Sequence, residues 1–219
     1  MTWTIPNILT VIRLLAAPGI VIAFVLLSRP LADWVAPVLF IGASLTDYLD
    51  GYLARALDQK SKFGAMLDPI ADKAMVIIAL AVVLGNSGMN PWLALPAAFI
   101  LLREVFVSGL REFLGADAGR LAVTKLAKWK TTAQMVALAI LLGAMGAEAA
   151  HLAAYMRTDL DLYEKLMAER APLWWYAQIG FHGGVVGAVL LWAAALLTLV
   201  TGWDYLRKAM PFLKEDPAP

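Results

Sequence analysis

Residues 8–27, ILTVIRLLAAPGIVIAFVLL, are apolar apart from Thr10 and the single charge of Arg13. A helix rises 1.5 Å per residue, so a run of this length reaches across the ~30 Å hydrocarbon core of a bilayer. Lipid offers the backbone no hydrogen-bonding partner, so a spanning segment must be a helix or a strand of a closed barrel. The run has no alternation of apolar and polar residues and therefore reads as a helix. Comparable segments follow: one from Trp34 into the region of Asp47, then 65–84, 92–110, 132–145 and 175–200. Composition agrees, since the 219 residues are 61% hydrophobic and 16% charged, against ~45–50% and ~25% in soluble domains. The fold expected is an all-α integral membrane protein, one domain over residues 1–219, with six transmembrane helices. The first segment is long and lacks a small-residue cleavage site, so it reads as a retained span.

Six spans place both termini on one side. Of the 18 Lys and Arg, fourteen fall on that side and only Arg29, Arg157, Lys165 and Arg170 on the other. The positive-inside rule then puts the termini in the cytoplasm. Trp3, Trp34, Trp92, Trp174, Trp175, Trp203 and Tyr205 lie near the proposed span ends, where amphipathic rings prefer the headgroup level. Residues 151–172 form a polar external segment in which Leu160, Leu162, Leu166 and Met167 allow a short amphipathic helix. Residues 214–219, KEDPAP, read as a disordered tail. There is no Cys, which excludes disulfides and thiolate metal sites.

Within this apolar chain, residues 45–75 read LTDYLDGYLARALDQKSKFGAMLDPIADKAM. Asp47 and Asp50 are three apart, Asp68 and Asp72 four apart, so each pair shares a helix face. Two antiparallel helices would bring all four carboxylates into one pocket at the membrane boundary. Four unpaired carboxylates there repel one another and are costly to desolvate. Protonation, pairing with Arg55, Lys60, Lys62 or Lys73, or a divalent cation would each resolve the conflict. An all-carboxylate set suits Mg²⁺, Mn²⁺ or Ca²⁺, and two His without Cys make zinc a poor choice. Gly51 and Ala54, one turn apart beside the first pair, leave room for a ligand to approach the backbone or for a neighbouring helix to pack. Arg55 next to them could grip a diphosphate oxygen.

The spacing Asp47-x2-Asp50-Gly51-x2-Ala54-Arg55-x8-Gly64-x3-Asp68-x3-Asp72 resembles the signature of the CDP-alcohol phosphotransferases, with every fixed position filled. The segments IPNILTVIRL, REVFVSGLREF (103–113) and KLAKWKTTAQM (125–135) resemble the bacterial branch whose acceptor is sn-glycerol 3-phosphate. The resemblance implies a six-helix enzyme of the bacterial cytoplasmic (inner) membrane, homodimeric, with two divalent cations (Mg²⁺ or Mn²⁺) and its active site facing the cytoplasm. It implies transfer of the phosphatidyl group from CDP-diacylglycerol to glycerol 3-phosphate, giving phosphatidylglycerophosphate and CMP. Carried over residue by residue, Asp47, Asp50, Asp68 and Asp72 are metal ligands, and Asp72 is also the catalytic base. Thr46, Gly51, Ala54, Arg55 and Gly64 correspond to the CDP-lipid-binding positions.

A second charged cluster, Arg103, Arg111, Lys125, Lys128 and Lys130, flanks the loop between the fourth and fifth spans. Arg by its fork and Lys as a point charge would hold the acceptor's phosphate. The competing readings are topology and anionic headgroups, and Glu104 and Glu112 stand ready to neutralise the two Arg. Asn7, Thr10 and Arg13 share a face of the first helix, which either touches the nucleotide pocket or reflects a helix cap and an interfacial Arg. His151 and His182 are isolated and read as structural. Gly183-x3-Gly187 reads as a close-packed seam within the chain. Other functions stay in play: the same reaction with inositol phosphate, serine or phosphatidylglycerol as acceptor, or a transporter using Asp as cation sites. Nothing points to nucleic acid.

Overall fold

The computed structural model describes residues 4–56, 61–115 and 125–213, leaving aside the side chains of residues 48, 51–56 and 125–128. These residues are all helical or turn. Seven helices follow one another: α1 (Ile5–Leu26), α2 (Leu31–Ala56), α3 (Lys62–Asn86), α4 (Pro91–Leu114), α5 (Lys125–Tyr155), α6 (Leu160–Ala168) and α7 (Pro172–Leu213). Their ends carry the expected chemistry. Thr4, Ser61 and Asn90 cap α1, α3 and α4 by accepting from the amides of Asn7, Gly64 and Trp92. Gly115 closes α4 at φ +50°, a conformation that favours glycine.

Among the described residues four helices are long and apolar enough to cross a membrane: α1, α4, residues 129–155 of α5, and α7. α2 and α3 have comparable lengths, 26 and 25 residues, and carry the aspartates. The short helix expected outside the membrane is α6. The last apolar segment runs well beyond residue 200, because α7 is a 42-residue helix, about 63 Å at 1.5 Å per residue. Its final turns turn Tyr205 and Ala209 onto Val107, Leu110 and Leu114 of α4. That contact gives the C-terminal extension an apolar face of its own.

The core is built of small and branched residues. Ala17 and Ile20 of α1, Ala36 and Phe40 of α2, Met75 and Leu80 of α3, Leu138 and Leu142 of α5, and Leu191 of α7 are essentially inaccessible. α5 packs closely on α7 because the latter presents glycines. A Cβ on Gly187 would lie 2.6 Å from Leu141 Cγ, and one on Gly183 would lie 3.1 Å from Ala144 Cβ. The glycine pair is the intramolecular seam that its spacing suggests. Leu15, Val25, Val38, Leu102, Val105 and Val189 instead point outward and are more than half exposed, as lipid-facing residues must be.

α1 packs against both α2 and α3, which barely touch each other. It therefore stands as a wedge between the two aspartate-bearing helices. This corrects the expectation of a two-helix pocket. At the far end of α1, Arg29 Nε donates to Asp33 Oδ2 at 2.7 Å. That hydrogen bond is the main reason the guanidinium is held above its ordinary pKa.

Candidate active site

Asn7, Thr10 and Arg13 follow one another at intervals of three and line the face of α1 that enters the wedge. They are 3%, 2% and 1% exposed. A charged side chain in an apolar helix is expensive unless partnered, and Arg13 is partnered three times. Its Nη1 donates to Asp47 Oδ1 and, at 2.6 Å, to Asp72 Oδ1, while its Nη2 donates to Asp50 Oδ2. The Thr10 hydroxyl lies 2.9 Å from Asp68 Oδ1, 3.1 Å from the Pro6 backbone oxygen and 3.2 Å from Asp50 Oδ2, its single proton serving one acceptor at a time. Two adjacent turns of α1 thus touch all four aspartates.

The carboxylates do not share one environment. The side chains of Asp47 and Asp72 are 51% and 55% exposed, that of Asp50 is 6% exposed, and the Arg13 side chain beneath them is 2% exposed. Each carboxylate uses one oxygen in these bonds; the second oxygen of each takes no part in them.

The sequence account of charge compensation is corrected here. Of the cations considered near the aspartates, Lys73 instead donates to Ser108 of α4, and Arg55 and Lys60 lie outside the described side chains. Among the described residues a compensating cation comes from α1, 34 residues before Asp47 and 59 before Asp72. Of the two readings of Arg13, burial overturns the interfacial one, and its bonds to the aspartates place it at the pocket. The signal was present, three polar residues on one face of an otherwise apolar helix; of the nearby cations, Lys62 is exposed and Lys73 turns to α4.

Gly64 is set by packing. A Cβ there would meet Asn7 Oδ1 at 2.8 Å and Ser61 Oγ at 3.2 Å. Ser61 Oγ accepts from the Gly64 amide at 2.9 Å and donates to Asn7 Oδ1 at 2.7 Å. The start of α3 is thereby latched to α1 one turn before Asp68. Thr46 donates its hydroxyl to Ala43 O within its own helix, at 2.7 Å. The backbone of Gly51, Ala54 and Arg55 continues α2 beyond Asp50, and their side chains fall outside the description.

The second cluster divides. Arg103 and Lys130 both reach Glu104 Oε1, Arg103 at 3.1 Å. Glu104 thus neutralises its neighbour and also holds a Lys from α5 that is 5% exposed, a partner sequence spacing did not suggest. Ser108, which receives the Lys73 ammonium proton, donates in turn to the Glu104 backbone oxygen, so α3, α4 and α5 meet there. Arg111 points elsewhere: its Nε donates to Tyr205 OH at 2.9 Å, and its guanidinium lies 5.1 Å from that ring's centre. The five cations therefore do not form one described cluster, and the side chains of Lys125 and Lys128 lie outside the description. His151 faces Tyr163 and His182 faces Gln178, structural partners for both.

Four aspartates drawn together from two helices, at the spacing of the signature, place the chain beside known enzymes. The pattern of the CDP-alcohol phosphatidyltransferases matches residues 3–200. The chain belongs to that family. This CDP-alcohol phosphatidyltransferase is 58% identical over 225 residues to the "CDP-diacylglycerol--glycerol-3-phosphate 3-phosphatidyltransferase" of Cereibacter sphaeroides, covering 99% of this chain and 100% of that one. Proteins of the same name from Pseudomonas fluorescens and Rickettsia bellii are 39% and 38% identical. The alignments cover 97% and 93% of this chain and 93% of each relative.

Proposed function

We propose that the chain transfers the phosphatidyl group of CDP-diacylglycerol to sn-glycerol 3-phosphate, releasing CMP, at the cytoplasmic face of a bacterial inner membrane. The meeting of Asp47, Asp50, Asp68 and Asp72 around one face of α1 carries the reading. Near-full-length similarity to three relatives bearing that acceptor in their names supports the choice of acceptor. The charge asymmetry supports six spans, with α2 and α3 among them, and cytoplasmic termini. A homodimer belongs to the same reading through the family resemblance.

Two divalent cations fit the donor set. Four hard carboxylates, each with an oxygen outside the Arg13 and Thr10 bonds, suit Mg²⁺ or Mn²⁺. Among the described residues no three acidic or imidazole side chains converge on one point, and the Arg13 guanidinium bonds three of the four aspartates. Asp47, Asp50, Asp68 and Asp72 would hold the ions, whose charge would neutralise a diphosphate and favour departure of CMP.

The rest of the chemistry lies with the chain. Asp72, half exposed, takes the proton of the acceptor hydroxyl as its oxygen forms a bond to the lipid-bearing phosphorus. The bond from that phosphorus to the CMP oxygen breaks, and CMP leaves with its electron pair. Thr46, Gly51, Ala54, Arg55 and Gly64 would bind the CDP-lipid, and Gly64 also lets α3 approach α1. Arg103 and Lys130, with Lys73 beyond Ser108, supply more positive charge than Glu104 offsets. With Lys125 and Lys128 they would attract the acceptor's phosphate; Arg111, bonded to Tyr205, stands apart from them.

Purified protein in detergent, given CDP-diacylglycerol and Mg²⁺ or Mn²⁺, tests the reading. CMP should appear with glycerol 3-phosphate and not with inositol phosphate, serine or phosphatidylglycerol. Release with another of these acceptors would reassign the substrate, and no release with any would remove the activity.

A further inference from the structure

Arg13 lies outside the aspartate signature, yet it is the most connected side chain of the site. A guanidinium offers five N–H donors in a rigid fork. Here two of its nitrogens take one oxygen each from Asp47, Asp50 and Asp72, joining α2 to α3 through α1. Thr10, one turn earlier, lies within hydrogen-bond distance of Asp68 and Asp50, its one proton going to either. The Arg13 side chain is buried while those of Asp47 and Asp72 are half exposed, so the cation lies on the inner side of the carboxylates and the open side is left to a ligand.

We propose that Arg13 and Thr10 are positioning residues for the divalent-cation site. They bind one oxygen of each aspartate and leave the other outside those bonds, available to a cation. The proposal rests on the reading of the four aspartates as metal ligands. It also accounts for a charge problem. Without bound cations four carboxylates lie near one another, and Arg13 offsets part of their repulsion, so the side chains are held close before an ion arrives. Side chains that orient metal ligands typically contribute about 10–100-fold to metal affinity. The opposing arrangement makes Arg13 a stand-in for the metal that must be displaced. The two differ in sign: removing a scaffold weakens cation binding, whereas removing a competitor strengthens it.

Full-length protein in detergent, stripped with a chelator, is titrated with Mn²⁺ while electron paramagnetic resonance reads the free ion. Arg13→Ala should raise the Mn²⁺ Kd about 10–100-fold. Arg13→Lys should give a smaller rise, because one ammonium keeps the charge but loses the fork. Thr10→Val should raise it as well, without any change of charge. Thermal unfolding of the metal-free proteins accompanies the titration. Where Arg13→Ala yields no monodisperse protein, Arg13→Lys and Thr10→Val carry the comparison. An unchanged Kd in the folded variants overturns the proposal, and a lowered Kd makes Arg13 a competitor. Wild-type protein that binds no Mn²⁺, or binds it equally after Asp68→Asn with Asp72→Asn, overturns the metal reading itself before Arg13 is at issue.

Discussion

Gly64 and Asn7 approach so closely that a single methyl on the glycine would lie 2.8 Å from the Asn7 side-chain oxygen. The contact fixes the start of α3 against α1, and Asp68 follows one turn later. Gly64→Ala must push the two helices apart or break the bond from Ser61 to Asn7. Overpacking of this kind costs about 1–3 kcal/mol. The variant should unfold at lower temperature in detergent and lose CMP release at the same time. Retained melting temperature and retained turnover would show that Gly64 is not set by this contact.

Asp72 is half exposed and is held by one oxygen to Arg13. Asp72→Asn keeps the shape but removes a proton acceptor. General-base groups contribute about 10²–10⁴-fold, so kcat for CMP release should fall by that order. Arg13 retains Asp47 and Asp50 as partners, and the protein should still fold. Turnover near the wild-type rate at saturating substrates would remove Asp72 as the base.

Glu104 holds Lys130, whose side chain is 6% exposed. Glu104→Gln strands that ammonium in the bundle, and breaking a buried pair from one side costs about 3–5 kcal/mol. Replacing both, Glu104→Gln with Lys130→Met, should recover most of the lost stability. Thermal unfolding of the four proteins of the cycle measures the coupling. Additive losses would mean that the two side chains do not act as a pair.

The α5–α7 seam can be tested without touching the site. Gly187→Ala places a carbon 2.6 Å from Leu141 Cγ and should lower the melting temperature, at a cost of about 1–3 kcal/mol. Leu141→Ala in the same chain makes room for the methyl and should restore part of the loss. A double variant less stable than either single one would contradict the seam.

Absence of native cysteine makes topology directly measurable. Lys62 at the start of α3 and Lys165 in α6 are both exposed. With six spans, an impermeant thiol reagent added to intact cells should label Lys165→Cys and spare Lys62→Cys until the membrane is opened. Labelling of both from outside would break the six-span arrangement.

Much of the site was legible in the chain. Aspartates at intervals of three and four on helical segments declared two shared faces, and the fixed spacing through Gly64 identified the family. Close packing at Gly183 and Gly187 was legible for the same reason, since helical periodicity is a local property. Arg13 was not legible as the partner of the aspartates. Helical periodicity placed it beside Asn7 and Thr10, but no local rule says which distant helix that face meets. Arg111 shows the reverse case: grouped with Arg103 by spacing, it is drawn off by Tyr205 of α7, 94 residues later.

The sequence alone determined that this chain forms apolar helices and that four carboxylates must be compensated within them. Those requirements follow from backbone hydrogen bonding in lipid and from the cost of unpaired charge. Only the tertiary structure decided that α1 wedges between α2 and α3 and brings the compensating cation with it. Ion pairing depends on distance in space, and the packing of small residues across three helices sets that distance.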